Sequence, residues 1–178
     1  MKNIVLIGFM GTGKTSVGRR LAVRLGRRFV DTDAAIEEVT GKTVAQIFAR
    51  EGVTRFRSEE TILAGKLAGE EGLVISTGGG MVLSSENVSL LKENGVLIGL
   101  TAGEEVIYQR LQNKKNRPLL QKGELRELIA GLLAERAGAY DMAEFTLDTG
   151  SLNIDETVDK ILEYLKGRRC LQVAPGAD

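Results

Sequence analysis

The sequence predicts an α/β fold: a five-stranded parallel sheet covered by helices on both faces. Three observations predict it. Short apolar runs alternate with segments of helical spacing along the chain, an order that produces strand–helix–strand crossovers. The runs are continuously apolar, as expected of strands buried on both sides. A glycine-rich turn links the first run to the first helical segment, the usual join of a βα unit that binds phosphate.

The elements follow in order. IVLIG (4–8) is a buried strand. Val17, Leu21 and Leu25 carry helical spacing that ends near Gly26. RFVDT (28–32) is a second, short strand. Residues 33–70 are mostly helical, with breaks near Gly41 and Gly52. LVIS (73–76) is a third strand and runs into Thr77-Gly78-Gly79-Gly80. Ser84 or Ser85 caps a helix through Lys92 that Gly95 closes. VLIGL (96–100) is a fourth strand, with a helix after it to about Leu111. FTLDT (145–149) is the fifth. Asn153 and Glu156 form a capping box for a last helix ending at Gly167. The polar stretch 112–124 reads as a mobile loop, and residues 168–178 as a flexible tail. The expected organisation is one domain over residues 1–167.

Bulk properties exclude several function classes. The 178 residues carry no net charge, so no global basic field exists to hold nucleic acid or an anionic membrane. No apolar stretch of spanning length occurs, and a cytoplasmic protein without a signal peptide is expected. The chain has no histidine and one cysteine, Cys170. Ser-His-Asp and Cys-His catalysis and the usual zinc sites are thereby excluded. Chemistry must run on Asp, Glu, Lys, Arg and backbone groups.

Gly8-Phe9-Met10-Gly11-Thr12-Gly13-Lys14-Thr15 matches G-x-x-x-x-G-K-[ST], with a strand before it and a helix after it. Glycines let backbone N–H groups converge on phosphate oxygens, and the helix N-terminus adds its positive dipole end. Lys14 reaches the β- and γ-phosphates, and the Thr15 hydroxyl is a Mg²⁺ ligand. Gly11, Thr12, Gly13 and Ser16 complete the cradle. The motif does not say whether phosphate passes to water or to a second substrate. Asn113-Lys114-Lys115-Asn116 lacks the final carboxylate of a guanine-reading motif. Asp148-Thr149-Gly150 has no partner copy. Neither supports a GTPase or an aspartic protease.

A second constellation follows. Asp31-Thr32-Asp33 ends the second strand, where carboxylates face the ligand crevice of a parallel sheet. In a strand, residues 31 and 33 point to one side; as a helix cap pair they would have no role in chemistry. Arg57 and Arg136 alone read as helix-surface charges. Gly78, Gly79 and Gly80 make sense where a ligand touches backbone N–H groups. Arg117, in RPLL, places a cation in the candidate lid.

Together GFMGTGKTSVGRRLA, FVDTD, the segment Phe56 to Glu60, TGGG, RPLL and the segment Glu135 to Tyr140 resemble the shikimate kinase family, in its order and over nearly the whole chain. The resemblance implies a three-layer P-loop kinase fold with a substrate-binding insert over about 33–61 and a lid over about 112–124. It implies ATP and Mg²⁺ as cofactors and shikimate as substrate, and a monomer that binds neither nucleic acid nor membrane. By the same resemblance Asp33 is the base or orienter. Arg57 and Arg136 hold the substrate carboxylate. Gly79, flanked by Gly78 and Gly80, meets a substrate hydroxyl. Asp31 supports Mg²⁺ through water, Arg117 is the lid arginine, Arg110 packs on adenine, and Asn153 with Ile154 meets the adenine edge. Two other readings stand beside this one: another small-metabolite kinase of the same fold, and a nucleotide-binding regulatory module without turnover.

Overall fold

The computed structural model describes residues 1–112 and 125–167. The expected lid (112–124, with Arg117) falls outside them apart from Gln112, and the tail 168–178 with Cys170 lies wholly outside them. The strands are β1 (Asn3–Ile7), β2 (Phe29–Asp31), β3 (Val74–Ser76), β4 (Gly95–Thr101) and β5 (Phe145–Asp148). They form one parallel sheet in the order β2-β3-β1-β4-β5. The helices are α1 (Lys14–Leu25), α2 (Thr32–Thr40), α3 (Val44–Ala68), α4 (Ser85–Glu93), α5 (Glu104–Leu111), α6 (Leu125–Glu135) and α7 (Ile154–Gly167).

Why the central strands carry apolar runs is visible in β1. Ile4 and Leu6 face one side, packed with Val17 and Leu21 of α1 and Val158 and Ile161 of α7. Val5 and Ile7 face the other, with Ala64 and Leu67 of α3 and Leu91 of α4. Both sets are buried to 1% exposure or less. At roughly 1.5–3 kcal/mol for each fully buried side chain of this size, the two-sided core dominates the stabilisation. Exposed pairs Arg20–Asp155 and Arg24–Asp159 also join α1 to α7, and such pairs contribute little.

Two boundaries and one helix differ from expectation. β2 ends at Asp31, and Thr32 opens α2. Gly95 belongs to β4; α4 stops at Asn94, and the helix does not need Gly95 to end. That glycine is required by crowding: a Cβ there would collide with the Leu91 carbonyl and lie 2.9 Å from Val5. One helix, α6, is absent from the sequence expectations, because no Ser, Thr, Asp or Asn in residues 121–124 marks its start. Its Ile129 packs with Ile107 and Leu111 of α5 and with Phe9 and Met10 of the glycine-rich turn. The breaks at Gly41 and Gly52 are as expected. Gly41 closes α2 in a left-handed conformation, and Gly52 (φ 86°) kinks α3. The Asn153–Glu156 capping box at α7 is also present, with both reciprocal bonds made.

Candidate active site

The C-terminal ends of β1, β2 and β3 and the region beyond β5 surround one cleft. Its lining includes Gly11, Thr12, Gly13, Lys14, Thr15, Ser16, Asp31, Asp33, Gly78, Gly79, Arg110 and Asn153. Twelve of the residues singled out from sequence thus share one space.

Its floor is the turn between β1 and α1. Gly13 occupies the α1 N-cap with φ 96° and no side-chain cap. The first N–H groups of α1 therefore open onto the cleft instead of being capped by protein. The Thr12 hydroxyl donates to the Phe9 carbonyl (2.8 Å), which stiffens the turn. Lys14 is buried, and its ammonium donates to the carbonyls of Gly8 (2.8 Å) and Phe9 (2.7 Å). The cation is thereby fixed over the cradle.

Asp31 has two roles at once. One carboxylate oxygen accepts from the Ala34 N–H (3.3 Å) and caps α2. The other accepts from the Thr15 hydroxyl (2.8 Å), which also lies 3.4 Å from the Ser76 hydroxyl. Three oxygen-bearing side chains meet here, the hard donor set that suits Mg²⁺. No group of three or more His, Cys, Asp or Glu side chains that could hold a metal occurs among the described residues.

Asp33 reaches the cleft by the helical one of the two routes its sequence leaves open. It does not share a strand face with Asp31 but sits in the first turn of α2. The chain turns helical at Thr32 because Asp31 caps there, and the buried Thr32 hydroxyl accepts from the Gly78 N–H (2.8 Å). That bond draws α2 against the glycine turn.

The turn Gly78-Gly79-Gly80 separates the cradle from a second group of charges. A methyl at Gly78 would strike the Asp33 carboxylate, and one at Gly80 would strike the Arg57 guanidinium. Arg136 follows α6, is 9% exposed and donates to the Gly79 carbonyl (3.4 Å), as does the Tyr140 hydroxyl (2.8 Å). Arg57, Gly80 and Arg136 are not among the residues lining the cleft; Arg57 meets the turn at Gly80, and Arg136 meets it at Gly79, close to Gly8 and Met10 of the cradle. The two guanidiniums rest near Phe56 and Phe9, 5.8 Å and 5.7 Å from the ring centroids. The Nε–H of Arg136 is buried and has no protein acceptor.

Glu60, fully buried, accepts from Arg57 at 2.5 Å. Burial pushes its carboxyl above the usual range, against the opposing pull of Arg57. Burial likewise pushes the Tyr140 phenol up. Sequence reasoning did not select Glu60, although its place three residues after Arg57 on a helix was a signal.

Thr149 was also passed over. Its buried hydroxyl lies 3.0 Å from the Thr12 and Thr101 carbonyls and accepts from Arg110 (3.0 Å). Arg110 donates as well to the Thr149 carbonyl (2.7 Å) and the Gly11 carbonyl (3.2 Å). One threonine beyond the last strand therefore ties the cradle to Arg110.

A phosphate cradle beside a pocket with two arginines and two acids is a kinase arrangement, and comparison with known proteins identifies which. The shikimate kinase family model matches residues 10–166. The chain belongs to the shikimate kinase family. It is 70% identical over 166 residues to the shikimate kinase of Pelotomaculum thermopropionicum, covering 93% of this chain and 96% of that one. It is 56% identical over 178 residues to that of Desulforudis audaxviator, covering 100% and 94%. Among solved structures, the shikimate kinase from Acinetobacter baumannii in complex with shikimate superposes with a TM-score of 0.90 at 38% identity, covering 95% of each chain. A shikimate kinase is a phosphotransferase, and the phosphate cradle that lines this cleft fits that chemistry.

Proposed function

We propose that the chain transfers the γ-phosphoryl group of ATP to the 3-hydroxyl of shikimate, with Mg²⁺ as cofactor, giving shikimate 3-phosphate and ADP. One observation carries the reading: the buried, acceptor-less Nε–H of Arg136, which with Arg57 meets the glycine turn next to the phosphate cradle. Two adjacent guanidiniums with donor capacity to spare suit a carboxylate. Asp33, at the same turn, suits a sugar-like hydroxyl.

The residues divide as follows. Gly11, Thr12, Gly13, Lys14 and Ser16 cradle the phosphates. Thr15 and Asp31 would hold Mg²⁺, which supplies charge neutralisation to the phosphates when bound. Arg57 and Arg136 grip the carboxylate, and the turn Gly78–Gly80 presents backbone to the ring hydroxyls. Asp33 orients the attacking hydroxyl and accepts its proton late, because the transition state is loose and positioning carries most of the rate. Arg110 and Asn153 flank the adenine. In this reading α2 and the first part of α3, about 33–61, form the substrate-binding insert of a single domain over 1–167, acting as a cytoplasmic monomer. Among the described residues no helix is long and apolar enough to cross a membrane.

The test is a coupled ADP-release assay with ATP and Mg²⁺, run with shikimate, gluconate or AMP as acceptor. Release that requires shikimate and is lost in Asp33→Asn supports the reading. Equal slow release with every acceptor, or preference for another one, overturns it.

A further inference from the structure

We propose that binding of the substrate carboxylate draws a proton from solvent onto Glu60. The proposal rests on the reading above, in which the carboxylate lies on Arg57 and Arg136.

The groups that face Glu60 are few. Arg57 shares its own helix, α3. Asp33 comes from α2, Arg136 from the segment after α6, and the glycine turn contributes no ionisable group. With both arginines charged and both acids ionised, the pocket is electrically balanced. An incoming carboxylate upsets that balance in a place shielded from water. It also competes with Glu60 for the Arg57 guanidinium. The imbalance is relieved most readily at the acid with least access to solvent. Glu60 is 0% exposed, and burial already favours its neutral form.

The geometry names the atom. Oε2 of Glu60 accepts from Arg57 at 2.5 Å. Oε1 is buried and has no protein partner. It would lie 3.4 Å from a Cβ built on Gly78, the position that Asp33 also crowds. A proton on Oε1 breaks no existing bond. It converts an acceptor-only oxygen into a donor on the side of the turn where Asp33 stands. The proton comes from the buffer on binding and returns when the pocket empties.

The experiment is isothermal titration of the full chain with shikimate, without nucleotide, in phosphate, HEPES and Tris at several pH values between 6 and 8. The slope of observed enthalpy against buffer ionisation enthalpy counts protons exchanged. The expected result is uptake of about half a proton or more at the pH of maximum slope, falling to near zero in Glu60→Gln. The carboxamide of shikimate, which brings no charge, should bind the wild-type chain without uptake. That comparison serves even where Glu60→Gln folds poorly. Saturable shikimate binding with no slope at any pH overturns the proposal and leaves the site reading standing. Uptake that persists in a folded Glu60→Gln, or that the carboxamide reproduces, also overturns it. No shikimate binding by the wild-type chain overturns both.

Discussion

Arg57 and Glu60 stand one helical turn apart on α3, joined at 2.5 Å, with the carboxylate fully buried and the guanidinium one-third exposed. The acid is the deeper partner, so it holds the arginine in place against the glycine turn. Removing Arg57 strands the buried Glu60 charge and, on the function proposed above, also takes away a ligand of the substrate carboxylate. Arg57→Ala is expected to raise the KM for shikimate by about 30-fold or more while the KM for ATP stays within about 2-fold. Steady-state kinetics with each substrate varied separately check this. Equal effects on both constants would remove Arg57 from the substrate pocket.

A methyl at Gly78 meets the Asp33 carboxylate. Gly78→Ala is expected to displace Asp33 by a fraction of an ångström to an ångström, and kcat should fall by about 10²-fold with little change in the KM for ATP. A thermal melt run alongside separates this from unfolding. A folded variant with full kcat would refute the tight pairing of the turn with Asp33.

Thr149 holds Arg110 and Thr12 together through one hydroxyl. Thr149→Val keeps the shape and removes the bonds. Leaving buried partners unsatisfied costs about 1–3 kcal/mol. The KM for ATP should therefore rise about 5- to 100-fold with the KM for shikimate unmoved, and Thr149→Ser should restore it. If valine and serine behave alike, the hydroxyl has no positioning role.

Asp31 caps α2 and accepts from Thr15. Asparagine caps a helix as well as aspartate does, so Asp31→Asn keeps the cap and deletes the charge. The Mg²⁺ concentration for half-maximal rate should rise by about 10-fold or more, with the melting temperature nearly unchanged. An unchanged Mg²⁺ requirement would separate Asp31 from the metal.

The Glu60 carboxyl is raised by burial, which fixes the sign of its effect on stability. The folded state binds the proton more tightly than the unfolded chain does. Its contribution is complete below the ordinary value of 4.5 and is lost as pH rises through the raised value. Wild-type stability measured relative to Glu60→Gln by urea unfolding should decline as pH rises from about 4.5 towards neutrality. The exposed acids Glu51, Glu71 and Glu105 are lowered by their partners and shift oppositely, but they are common to both proteins and cancel in the difference.

The cradle was legible because its chemistry is local: glycines, Lys14 and Thr15 are contiguous, with a strand and a helix on either side. The succession of strands along the chain and the breaks at Gly41 and Gly52 were legible for the same reason. That Asp33 belongs at the cleft was legible, while the choice between strand and helix was not, since only the Asp31 cap reveals that the strand has ended. The glycine run was read as room for a ligand; the structure adds that two of the three glycines make room for Asp33 and Arg57. Thr149 was illegible because its partners lie 39, 48 and 137 residues away. Hydrogen bonds of that span leave no periodic trace in a sequence.

The central place of β1 in the sheet governs how the protein is born. Ile4 is made before both of its neighbours in the sheet, Val74 and Val96. At roughly 5–20 residues per second, β4 trails β1 by roughly 5–20 s. For that time the nascent chain carries an unpaired apolar ribbon, the kind of surface that chaperones and stray strand edges capture. Thr149, which fastens the cradle, emerges later still. Nucleotide meets a fastened cradle only after Thr149 has been made.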